Sequence, residues 1–128
     1  MREEKIKSQQ GFTLLEIIIA ISILAFGLLS VAALQASALR ATAGAYKATE
    51  ATKRAQDRME LLLSLPYGDD LLSGGGHSAS SSPPEYTITW NVEENEPMNN
   101  MKKITVTVSW NEKGITRSIV LACLKPGL

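Results

Sequence analysis

The apolar positions of this chain change period along its length, and each change predicts a different element. Residues 17–39 carry no charge, and only the small or weakly polar Ser22, Gly27, Ser30, Gln35 and Ser37 interrupt the apolar run. A bilayer core of roughly 30 Å needs about 20 helical residues, so this stretch predicts a spanning helix. Beyond Arg40 the sequence becomes rich in alanine, a strong helix former. Ala48, Ala51, Ala55, Met59 and Leu62 then recur at the spacing of one helical face, while Lys47, Glu50, Lys53, Arg54, Asp57 and Arg58 fill much of the rest. Gly27 and Gly44 are the positions where such a helix could bend. Pro66 ends it, because the residue before a proline is pushed out of the α region.

A period of two takes over after residue 85. Tyr86, Ile88, Trp90 and Val92 alternate with Thr87, Thr89 and Asn91, and Ile104, Val106, Val108 and Trp110 alternate with Thr105, Thr107 and Ser109. Such runs predict half-buried antiparallel strands. Asn111-Glu112-Lys113-Gly114 reads as a four-residue hairpin loop. Pairing Trp110 with Ile115 across it sets Val106 against Ile119 and Ile104 against Leu121. The apolar face thus continues through Ile119, Leu121 and Cys123, with Arg117 at its margin. One striped helix and one apolar sheet face are complementary, so the expected fold class is α+β, with about three antiparallel strands laid on the outer half of a long N-terminal helix. Both tryptophans fall on the inward face and read as core. Between helix and sheet, residues 66–85 are rich in Gly, Ser and Pro and predict a flexible loop, with His77 alone in it.

Composition narrows the function. Thirteen basic and thirteen acidic residues balance to zero net charge, so the electrostatic footprint of a nucleic-acid binder is missing. The single cysteine, Cys123, excludes an intrachain disulfide framework. There is no nucleophile–base pair and no ligand cluster, so neither an enzyme nor a cofactor or metal site is expected. Glu93-Glu94-Asn95-Glu96 and Lys102-Lys103 read as solvated charge. Asp69-Asp70 lacks the oxygen-rich pattern of a calcium loop.

The N-terminus carries the most specific signal. Arg2, Lys5 and Lys7 precede the apolar run, favouring a cytoplasmic N-terminus and a single pass with the C-terminus outside. An ordinary signal peptide cleaved after Ala38, at Ala36-Ser37-Ala38, would need an apolar region of about 7–15 residues, well short of this one. Neither that reading nor a plain signal anchor explains Glu16, a carboxylate that costs about 2–3 kcal/mol to bring into a bilayer unless it is paired.

The order Gly11-Phe12-Thr13-Leu14-Leu15-Glu16, after a basic leader and before a spanning run, resembles the class III signal of type IV prepilins and pseudopilins. The resemblance implies cleavage by a prepilin peptidase between Gly11 and Phe12, methylation of the Phe12 amine, and a register-setting role for Glu16. Leu28-Leu29 through Leu34-Gln35, and the segment from Ala55 to Leu62, resemble PilV-type minor pilins more softly. The sequence lacks a proline in the spanning segment and a C-terminal disulfide pair, departures from abundant major pilins that point to a minor subunit.

The implied organisation is a cleaved leader (residues 1–11), a transmembrane and assembly half-helix (12–39), an outer amphipathic half-helix (40–65), a loop (66–85) and a sheet head (86–128). The implied function is that of a minor pilin in type IV pilus assembly or modification. The implied partners are prepilin peptidase, other major and minor pilins and the inner-membrane assembly platform. The implied location is the bacterial inner membrane, then a pilus or periplasmic filament. A minor pseudopilin of a type II secretion system shares the same N-terminal signal. A membrane-anchored periplasmic binding module that never assembles would not need Glu16.

Overall fold

The computed structural model describes residues 11–80 and 85–127. The leader up to residue 10 and the Ser-Pro stretch 81–84 lie outside the described residues. The chain divides into two compact units, Met1–Ala41 and Thr42–Leu128.

In the first unit the backbone is non-helical through Thr13 and then enters α1, the helix Leu14–Ser64. Its apolar side chains stay exposed: Ile17, Ile21, Leu24, Phe26, Leu28 and Leu34 all face outward. By length and composition this helix is sufficient to cross a membrane. The hydroxyls within the run are satisfied locally, Ser22 Oγ donating to Ile18 O at 2.7 Å and Ser30 Oγ to Phe26 O at 2.9 Å. Such back-bonding hides a polar group from an apolar solvent. The helix runs unbroken through Gly27 and Gly44.

In the second unit α1 buries the expected stripe. Ala51, Ala55, Met59 and Leu62 are buried and Ala48 partly so. They pack on a four-stranded antiparallel meander in the order β1 (Gly75–Ser80), β2 (Tyr86–Glu94), β3 (Met101–Glu112) and β4 (Ile115–Pro126). Tyr86, Ile88, Trp90 and Val92 of β2 meet Ile104, Val106, Val108 and Trp110 of β3 in this core. Small alanines on the helix allow close approach, while the bulky strand residues fill the space between. Ile119, Leu121 and Cys123 of β4 are partly buried against the same core.

Three expectations are corrected. The sheet has a further strand, β1, inside the segment read as a loop; its register sets His77 opposite Trp90 and Ala79 opposite Ile88. The small residues of β1 carry little strand signal of their own, and the free edge of β2 supplies the ladder instead. His77 is therefore held: its ring stacks on Trp90 at 5.4 Å between centroids, and Nε2 lies 2.9 Å from Ser73 O.

The β3–β4 register is also shifted by two residues, with Trp110 opposite Arg117, Val106 opposite Leu121 and Ile104 opposite Cys123. Lys113 (φ 52°) and Gly114 (φ 82°) both adopt positive φ, which makes a two-residue turn in place of a four-residue loop. Its twist matches that of the strands. A shift of two keeps every side chain on its expected face, but it leaves Ile115 opposite Glu112 at the tip and exposed.

Finally, Lys102 is buried and not solvated. Its Nζ donates to Tyr67 O (2.9 Å) and Leu72 O (2.8 Å), sits 3.3 Å from Glu94 Oε1, and lies 4.5 Å from the centre of the Tyr67 ring. It thereby ties the connection after α1 to the sheet. That connection holds a short 3₁₀ turn, Asp70–Leu72, capped by Asp69, whose carboxylate accepts from Leu71 N. Leu72 is fully buried, and Trp90 Nε1 donates to Leu71 O at 2.9 Å. Lys103 pairs with Glu93 across the same strands at 3.0 Å, so the acidic run is partly spent within the sheet.

Candidate functional site: the start of the long helix

Residues 11–16 form the candidate site, and the chemistry of the first helical turn organises it. Thr13 is the cap: its Oγ1 accepts from Glu16 N at 3.2 Å, and its carbonyl accepts the first helical bond, from Ile17 N, also at 3.2 Å. A side-chain oxygen at this position satisfies one of the N–H groups that every helix start leaves without a partner. Thr13 and Glu16 have the spacing of a capping box, in which the glutamate would reach back to the threonine N–H. Only the threonine half is made. Among the described residues the Glu16 carboxylate has no hydrogen-bond or ion-pair partner.

Gly11 and Phe12 lie just before the cap, outside the helix and exposed, with Phe12 at 80% exposure. The bond between them thus lies in non-helical backbone ahead of α1. The sequence singles out Gly11, Phe12 and Glu16, all inside this segment, but not the capping role of Thr13, although Thr-x-x-Glu before an apolar run is itself a helix-start signal. Glu16 lies in the first turn of the helix, where the positive end of the helix dipole favours its negative charge.

A family model described as the prokaryotic N-terminal methylation motif matches residues 6–32, taking in the whole of this site. The chain carries a prepilin-type N-terminal motif. The motif supports a type IV pilin or pseudopilin precursor, and it implies processing by prepilin peptidase and pilin-type partners. The apolar helix that follows is consistent with anchoring in the inner membrane. Comparison with curated proteins and with solved structures gives no match.

Elsewhere among the described residues, no group of three or more His, Cys, Asp or Glu could hold a metal ion. Trp90 and Trp110, at 3% and 5% exposure, are core residues and offer no aromatic platform. Arg54 and Arg58 lie over the rings of Tyr86 and Trp90 at 4.7 and 5.1 Å, covering the margin of the core.

Proposed function

We propose that this chain is a minor pilin of a type IV pilus, a filament subunit that acts by assembly and not by turnover. The observation that carries the reading is the Glu16 carboxylate, placed in the first turn of an apolar helix beside an exposed Gly11–Phe12 bond and without a partner among the described residues. Hydrolysis of that bond by prepilin peptidase removes the basic leader and leaves α1 attached to the rest of the chain. The new Phe12 amine is protonated, and methylation keeps its charge. A positive amine at a helix N-terminus is unfavourable in its own dipole field, and a carboxylate in an apolar helix is unfavourable in lipid. A neighbouring subunit that slides in until its Glu16 meets this amine relieves both costs at once, and only one register does so. The small size of the sheet head and the run of helix without proline support a minor subunit over an abundant one.

A minor pseudopilin of a type II secretion system would use the same chemistry, and the genes adjacent to this one separate the two. The test of assembly is Glu16→Leu beside Glu16→Gln. Both variants are expected to reach the membrane at normal levels and to drop at least tenfold in sheared filaments. Undiminished incorporation of Glu16→Leu would overturn the assembly role and favour a tethered binding module.

A further inference from the structure

We infer that the tip of the β3–β4 hairpin is a membrane-surface contact, docking on the headgroups of an anionic bilayer beside the anchor. The inference rests on the reading of residues 17–39 as a membrane span.

Gly44 marks where the tip meets α1. A Cβ built there would meet Glu112 Oε1 at 3.2 Å, so the Glu112 side chain at the hairpin tip lies close against α1 at this point. The tip is thereby fixed to a point only five residues along the chain from Leu39, where the uncharged run ends. Five residues span at most about 18 Å in any conformation, so the tip cannot lie far from the lipid surface. The headgroup zone itself is several ångströms deep on each side of the apolar core.

What the tip presents fits that surface. Ile115 is 61% exposed at the turn, an apolar side chain with no core to enter. Lys113 occupies the turn itself, and Arg117 is 59% exposed. Tyr46, two residues from Gly44 on α1, is 70% exposed, and Lys47 follows it. Glu112 is the acid at the tip, held by Arg117 at 3.0 Å. Lys47, Lys113 and Arg117 against Glu112 and the neighbouring Glu85 leave the patch with one net positive charge. A tyrosine, basic side chains and one exposed aliphatic residue make the composition of a membrane interface, where amphipathic groups sit at headgroup level and cations meet anionic lipid. The other end of the sheet differs: the β2–β3 turn carries exposed Met98 amid asparagines and Glu96.

The test places a nitroxide at Ile115→Cys, in a Cys123→Ser background, in the full chain at one copy per lipid nanodisc. Met98→Cys serves as the comparison at the far turn, and Ile23→Cys reports on the span. Accessibility to oxygen relative to a water-soluble nickel chelate is measured in discs of phosphatidylcholine with and without phosphatidylglycerol. At position 115 this ratio is expected to rise severalfold with anionic lipid, to stay unchanged at 98, and to fall back when Lys113→Glu and Arg117→Glu are added. Equal, lipid-independent ratios at 115 and 98 would overturn the docking while a lipid-exposed label at 23 leaves the anchor standing. A water-exposed label at 23 would instead remove the membrane reading itself. Protection at 115 that appears only with two copies per disc would assign the tip to a subunit contact and also overturn the inference.

Discussion

Thr13 and Glu16 stand at the start of α1 and differ in their bonding: the threonine side chain closes the helix start, while the Glu16 carboxylate has no partner among the described residues. Lys102 shows the opposite economy, a cation whose donors are all used within the fold. Replacing it with methionine strands the Tyr67 and Leu72 carbonyls and leaves Glu94 without its cation. The substitution is expected to destabilise the sheet unit by about 2 kcal/mol. Because Trp90 and Trp110 both lie in this sheet, tryptophan fluorescence during urea unfolding reads that loss directly. Tyr86 gives a pH dependence. Burial, and then the neighbouring Glu50 and Glu85 carboxylates, raise its hydroxyl pKa above the ordinary value. Its proton is then held more tightly in the folded chain than in the unfolded one. The associated stability is complete below about pH 10 and is lost as the pH climbs through the folded value. Lys103 is raised as well, by its bond to Glu93, and loses its contribution over the same alkaline window. Tyr86→Phe is therefore expected to flatten, without abolishing, the fall in urea midpoint between about pH 9 and pH 11.

At the scale of elements, the hairpin turn and the helix–sheet contact carry the most weight. Gly114 sits at φ 82°, and Gly114→Ala is expected to cost about 1 kcal/mol in the same unfolding assay. Ala55 is fully buried beneath the sheet, and Ala55→Leu is expected to cost about 1–3 kcal/mol through overpacking. What could be read in advance follows from where the information is stored. The stripe from Ala48 to Leu62 and the alternation from Tyr86 to Val92 are local patterns, and the buried residues match them. The strand at Gly75–Ser80 has no such pattern, because a glycine- and serine-rich edge is ordered by its neighbour's free hydrogen bonds. The β3–β4 register depended on whether Lys113 would accept a positive φ, a choice that period-two alternation cannot express. Lys102 looked solvated because its partners, two backbone carbonyls some thirty residues away, leave no trace in composition. At the candidate site the prepilin-type signal over residues 6–32 was legible because it is itself a short linear motif.

For the whole molecule, the central claim is that the chain becomes a filament subunit once its first residues are removed. The fold sets the parts in the order this requires: an exposed bond, a capped helix start, a carboxylate without a partner among the described residues, an apolar run and then a small sheet packed on the helix continuation. Residues 6–32 carry the match to the N-terminal methylation motif, and the sheet unit lies outside it. The most direct measurement is the N-terminus and intact mass of the membrane-extracted chain, with and without co-expressed prepilin peptidase. The account predicts a peptidase-dependent start at Phe12 bearing one added methyl group. A start at Met1 that ignores the peptidase, or a start after Ala38, would contradict it.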